Sequence, residues 1–226
     1  QSALLVSIQR VALGLALNML LTILIAYPLS KEVKQFPLRT ACAWYFLITI
    51  LFSGGLIPTY MVVKQTGLID SVFALVIPCA VPVFNAIVLL NFFRGIPKAL
   101  EESALIDGAG HWRILWSIYV PLSLPALATL TLFSAVNHWN AWFDGLIYIN
   151  DPRKYPLQTY LQTMVIQSTS AVGTIINIKD LEIMEVISDR TAKAAQIFIG
   201  ALPIISVYPF LQRYFIKGIV LGSVKQ

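Results

Sequence analysis

The feature that most constrains this chain is the absence of charge over long stretches. Five strongly apolar runs carry no Asp, Glu, Lys or Arg: residues 11–30, 40–63, 71–93, 114–143 and 194–212. They are 20, 24, 23, 30 and 19 residues long. A helix needs about 20 apolar residues to cross about 30 Å of hydrocarbon. Backbone polar groups there must be bonded internally, so each run is expected as a helix. The first helix is expected to begin earlier than its uncharged run, near Ala3. Only the later part of the fourth run, from about Leu122, is expected to cross. Only 12% of the 226 residues are charged and 58% are hydrophobic, whereas soluble domains have about 25% charged residues.

The net charge of +5 could suggest nucleic acid, but the positions of the charges argue for a membrane. If residue 1 starts outside, the inner connections hold nine Lys and Arg and the outer ones six, most of those in one long loop. Short basic connections mark the cytoplasmic side. Residues 97–121 are then cytoplasmic. Arg10 is the one charge within an expected span. It reads as snorkelling toward the outer headgroups, or as touching a partner subunit or an anionic substrate. Cys42 and Cys79 fall inside apolar runs and read as buried or lipid-embedded thiols.

Residues 97–121 are the most polar block. Pro97 suits the first position of a helix, and Glu101 and Glu102 suit its positive end. Leu100 and Ala104 share a face. Gly108 and Gly110 interrupt it. Trp112, Leu115, Trp116 and Tyr119 then recur at helical spacing, and Pro121 bends the chain into the next span. The expectation is helix, glycine break, helix, lying on the membrane surface.

At these residues the chain resembles a known family. Glu102-Ser103-Ala104, Asp107-Gly108-Ala109, Ile118 and Pro121 are similar to the EAA loop of permease subunits in bacterial ABC importers. Ser103 stands where that pattern has its middle Ala. The resemblance continues to Gln212-Arg213-Tyr214, Gly218, Gly222 and Lys225, and is greatest to carbohydrate importers of the maltose-transporter type. Tyr155-Pro156-Leu157-Gln158-Thr159-Tyr160-Leu161 resembles the branch handling complex or acidic oligosaccharides, alginate-type sugars among them.

The resemblance implies an all-α, polytopic membrane bundle with a cytoplasmic helix-turn-helix coupling loop. One transmembrane domain would fill residues 1–226, with spans near 3–30, 40–63, 71–93, 122–143 and 194–215. The coupling loop would be 97–121 and an external loop 144–193. The family usually has six spans and the chain starts at Gln1, so an amino-terminal span is expected to precede it. Implied partners are a second homologous permease, a dimer of ATPase subunits, an extracytoplasmic solute-binding protein, an oligosaccharide and membrane lipid, with no nucleic acid. The implied location is the bacterial inner membrane. Glu102, Ser103, Ala104, Asp107, Gly108 and Ala109 would contact the ATPase.

No phosphate-binding Gly-x-x-x-x-Gly-Lys-Ser/Thr sequence occurs. ATP and Mg are therefore expected on the partner ATPase, with no cofactor in this chain and no catalysis by it. Asn85, Asn91, Asn137, Trp139, Asn140 and Trp142 are candidate pathway residues, because amides bond sugar hydroxyls and aromatic faces stack on sugar rings. They equally suit interhelical hydrogen bonding and interfacial anchoring. In the loop, Leu157, Tyr160, Leu161, Met164 and Val165 form an amphipathic pattern. Residues 168–173 read as a turn and 180–189 as a second short helix. An ion-coupled secondary transporter or channel is the alternative. It would ordinarily carry a mid-membrane carboxylate, and no Asp or Glu falls within an expected span.

Overall fold

The computed structural model describes residues 2–171 together with 194, 198, 200, 201 and 205. Among the described residues all regular structure is helical. The first helix, α1, spans Ser2–Ser30. At 1.5 Å per residue its length is about 43 Å, enough to cross a membrane. It ends where Ser30 Oγ donates to the Tyr27 carbonyl at 2.6 Å.

Three further apolar stretches form bent helix pairs. The run 40–63, expected as one helix, divides into α2 (Arg39–Leu51) and α3 (Leu56–Gln65), inclined at 114°. Ser53-Gly54-Gly55 causes the break. Glycine is a poor helix former, and Gly55 adopts φ +87°, a conformation costly for other residues. The run 71–93 starts with two 3-10 turns, Val72–Leu75 and Ile77–Cys79. It then bends by 48° into α4, Val83–Arg94. Pro78 and Pro82 lack the N–H groups that a continuous helix would use.

The polar block forms α5, Lys98–Ile106, a turn with Gly108 at φ +78°, and α6, His111–Leu122. Within α6, Leu115–Tyr119 is wound as a π-helix. An 82° bend at Ser123, between Pro121 and Pro125, leads into α7, Leu124–Asn140. Two shorter segments follow, α8 (Phe143–Tyr148) and α9 (Leu157–Ala171). Helix α9 runs through residues 168–171, where a turn was expected. Its exposed side chains include Tyr160 and Met164, while Gln158 and Thr159 are buried. The expected amphipathic face is therefore divided, with Leu157 and Leu161 half-buried and Tyr160 and Met164 exposed. The second expected loop helix and most of span 194–215 lie outside the described residues.

Helix α1 is the central post, packed mainly against α4 and α7. The largest core cluster joins Ile23, Ala26 and Tyr27 of α1 to Leu89 and Phe93 of α4. Ile114, Leu115 and Tyr119 of α6 and Leu127 and Leu130 of α7 complete it. A second stripe on α1 is small or polar: Ser7, Arg10, Gly14, Asn18 and Thr22 are all buried. These positions recur every three or four residues and so share one face. A smaller cluster of Val63, Ala74, Leu75, Tyr148 and Ile149 is clasped by Asp70. The Asp70 N–H donates to the Tyr148 carbonyl at 2.8 Å. Its carboxylate accepts the N–H groups of Asn150 and Asp151 and pairs with Lys154.

Gly14 lets the His138 ring lie directly on the α1 backbone. A Cβ at Gly14 would fall 2.4 Å from His138 Nε2. Gly14→Ala is expected to destabilise the fold by about 1–3 kcal/mol, the usual cost of overpacking. Gly54→Ala, whose Cβ would meet nothing nearer than 3.9 Å, serves as control and should stay within about 0.5 kcal/mol of wild type. Thermal unfolding in detergent measures both.

Candidate functional site

Helix α5 stands off the bundle. Lys98, Ala99, Leu100, Glu102, Ser103, Leu105, Ile106 and Asp107 are all exposed, Ile106 to 87%. Ala104 and Ala109 are half-buried and pack on the main core. The Ala109 N–H donates to the Ala104 carbonyl at 2.9 Å, closing the turn around Gly108. The six loop residues singled out from the sequence thus form one short helix end and its turn. Leu100 and Ala104 lie four apart on this helix and so on one face, with Leu100 exposed and Ala104 half-buried.

The residue that holds α5 down is Glu101, 6% exposed. Lys31 Nζ donates to Glu101 Oε1 at 2.6 Å, and Tyr119 Oη donates to Glu101 Oε2 at 2.6 Å. Lys31 also reaches Tyr119 Oη at 3.1 Å and sits 4.1 Å and 4.3 Å from the ring centroids of Tyr27 and Tyr119. Burial pushes the Glu101 carboxyl up, but the bonds from Lys31 and Tyr119 outweigh it and hold the group below its ordinary value of 4.5. A depressed carboxyl stabilises the fold above its unfolded value, and that contribution is lost only as pH falls through the depressed one. The attachment is therefore complete at neutral pH. In α6, Ile114, Leu115 and Tyr119 are buried while Trp112 and Trp116 are exposed. The expected four-residue face thus splits in two.

At the other end of α1, Arg10 is 1% exposed. Its guanidinium donates to the Ala141 carbonyl at 2.9 Å and to both carboxylate oxygens of Asp144. The snorkelling expectation is therefore replaced by a buried ion pair. Asp144 lies one residue beyond the fourth uncharged run, and α8 folds it back onto α1. Asp144 thus reaches the bundle from outside the expected spans, none of which holds an Asp or Glu. Deeper in, Asn18 lies 3.1 Å from His138 Nε2. With its amide oxygen toward that nitrogen, Asn18 donates to the carbonyls of Gly14, Cys79 and Ala80.

The candidate pathway residues separate by environment. Asn85 is buried and donates to Ser134 Oγ at 3.1 Å. Trp139 is buried, with its indole N–H on the Gly200 carbonyl at 2.9 Å. Trp142 is half-buried against Phe143 and accepts from Thr159 Oγ1 at its carbonyl. Asn91, Asn137 and Asn140 are exposed. Asn137 and Asn140 are three apart on α7 and so share one face.

Residues 14–220 match the family described as binding-protein-dependent transport system inner membrane component. The chain belongs to that family. It is 43% identical over 223 residues to the polygalacturonan/rhamnogalacturonan transport system permease protein YtcP of Bacillus subtilis (strain 168), covering 99% of this chain and 76% of that protein. It is 44% identical to Protein LplC of the same organism, over 97% of this chain and 72% of that one. The crystal structure of a bacterial ABC transporter involved in the import of the acidic polysaccharide alginate superposes with a TM-score of 0.80. That match is at 31% identity and covers 95% of this chain and 74% of the other.

This chain is thus an inner-membrane permease of a binding-protein-dependent ABC importer. Membership implies a partner permease, an ATPase and a solute-binding protein. Sequence reasoning placed Glu102 at the front of the permease's polar block but missed Glu101, whose partner Lys31 lies 70 positions away. The available signal was Lys31, standing immediately after the 20-residue uncharged run 11–30.

Breaking a buried ion pair by removing one partner typically costs about 3–5 kcal/mol. Arg10→Met and Asp144→Asn are each expected to destabilise the permease by roughly that amount, read as loss of thermal stability in detergent. The double substitution Arg10→Met with Asp144→Leu should recover most of it, because neither charge is then stranded.

Proposed function

We propose that this permease forms one half of a heterodimeric pathway that imports an acidic oligosaccharide built of uronic acid units. A solute-binding protein delivers the sugar at the Asp144 end, and two copies of a separate ATPase dock at the α5 end. ATP and Mg bind on those ATPase subunits. The chain contributes no covalent chemistry; it opens alternately to either side as the two permease halves rock against one another.

The observation that carries this reading is the exposure of α5. A nine-residue helix presenting Glu102, Leu105 and Ile106 to its surroundings has the shape of a plug for a cleft on a partner. In that role Glu102 pairs with a basic ATPase side chain. Ser103, Ala104 and Ala109 are small enough for close approach, and Asp107 and Gly108 close the turn. The acidic substrate is supported by the polygalacturonan/rhamnogalacturonan relative and the alginate-importing neighbour. Asn137 and Asn140, with Asn91, are the exposed amides available to sugar hydroxyls. Asn85, Trp139 and Trp142 act behind them by holding the helices that carry the pathway.

The test is co-purification of the tagged chain with the products of neighbouring genes, followed by uptake of labelled trigalacturonate in vesicles. A second permease and an ATPase in a ratio of about 1:1:2 are expected, as for a closed two-fold assembly. Glu102→Lys should abolish ATPase capture while leaving the chain in the membrane. Asn140→Ala should shift the sugar dependence of ATP hydrolysis by up to about tenfold, the equivalent of one lost hydrogen bond between neutral groups. Isolation of the chain without any ATPase would overturn the reading.

A further inference from the structure

Helix α5 has few means of moving the bundle. Of its nine residues, Lys98–Ile106, only Glu101 is buried and only Ala104 is half-buried. A force applied by a partner to its exposed surface reaches the rest of the chain in two ways. One is through the backbone at either end, both ends passing through glycine: Gly95 before the helix and Gly108 after it. The other is through side chains: the exposed ion pair of Lys98 with Glu32, the apolar packing of Ala104 and the buried Glu101.

The Glu101 route is the stiffer. Its two carboxylate oxygens are held by different elements, Oε1 by Lys31 at the end of α1 and Oε2 by Tyr119 of α6, each at 2.6 Å. Tyr119 is wedged edge-on against Tyr27 of α1 and Phe93 of α4, with ring centroids 5.1 Å and 5.2 Å apart. The group floors a cleft of about 450 Å³ that also opens toward Glu102 and Leu105. Three helices therefore meet on one carboxylate. Separating the partners of a buried charge pair strands an uncompensated charge, which is strongly destabilising, so the cluster holds its bonded geometry.

Building on the transport reading above, we propose that Lys31, Glu101 and Tyr119 form the joint that transmits movement of α5 to α1, and hence to the transmembrane bundle. Glu102 engages the ATPase; Glu101 pulls on α1. Adjacent acidic residues on one short helix thus divide the work, one facing the partner and one facing home. Lys31 and Tyr119 are positioning residues, since they touch neither sugar nor nucleotide. The joint predicts a specific defect: the complex assembles and hydrolyses ATP, but hydrolysis no longer moves the sugar efficiently.

The experiment uses the complete transporter in proteoliposomes, with labelled trigalacturonate as probe, and reads transported sugar per ATP hydrolysed. Lys31→Met should leave ATPase capture intact and lower that ratio about tenfold, within the range usual for coupling between sites. Tyr119→Phe, which keeps the ring and removes only the hydroxyl bonds, should lower it by a smaller factor. The exchange Lys31→Glu with Glu101→Lys should restore much of it, which a general loss of packing would not allow. A wild-type ratio in both Lys31→Met and Tyr119→Phe overturns the joint while leaving the transport reading standing. Loss of ATPase capture in parallel with transport in every variant, including Tyr119→Phe, also overturns it, by making the cluster an assembly contact. A wild-type complex that binds no ATPase, or takes up no trigalacturonate, overturns the transport reading itself and the joint with it.

Discussion

Charged side chains inside a membrane bundle pair with one another or with backbone carbonyls, and α1 is where this chain meets that demand. Its two ends carry the two buried ion pairs, Arg10 with Asp144 and Lys31 with Glu101. The members of each helix-to-loop pair are 134 and 70 positions apart in sequence. Twenty-one residues separate Arg10 from Lys31, a rise of about 32 Å, close to the hydrocarbon thickness of about 30 Å. The pairs are thus spaced by about one hydrocarbon thickness, and each pulls a connecting segment back onto the post. Helix α8 is drawn in at one end and α5 at the other.

Between the two pairs the post offers two kinds of surface. Ile23, Ala26 and Tyr27 meet the apolar core, and Gly14 and Asn18 meet His138. Association in a membrane gains nothing from burying apolar surface away from lipid. It depends on close packing and on interhelical hydrogen bonds, and the second surface supplies both. The Asn18 amide also reaches carbonyls in the 3-10 region at Cys79 and Ala80, backbone that Pro78 and Pro82 leave irregular.

Much of this was legible in the sequence, for particular reasons. Runs without charge reveal helices because burying an unpaired charge in hydrocarbon is so costly, and the glycine break at Gly108 announced itself through residue type. The bend beside Pro121 was legible in the same way, whereas the one at 52–55 was less visible, since hydropathy reports composition and not direction. Arg10 was noticed as a lone charge. Its partner escaped because Asp144 sits just outside an uncharged run and reaches inward only through the short return of α8. In α6 the bulky tryptophans suggested one face, whereas the core takes Ile114, Leu115 and Tyr119; the π-wound turn at Leu115–Tyr119 departs from the 3.6-residue period on which such reasoning rests. Glu101 and Glu102 look equivalent in one dimension, and only the three-dimensional position of Lys31 tells them apart.

The stripe on α1 also works like the bitting of a key. One helical turn along from Gly14 stand Arg10 in one direction and Asn18 in the other, and neither leaves room for an imidazole ring. A slip of α1 past α7 by one turn, about 5.4 Å, would drive His138 into an occupied notch and strand both ion pairs. The two helices are keyed to one another at this notch. In the rocking motion proposed above they therefore move together, and the change of access falls to the seams between subunits.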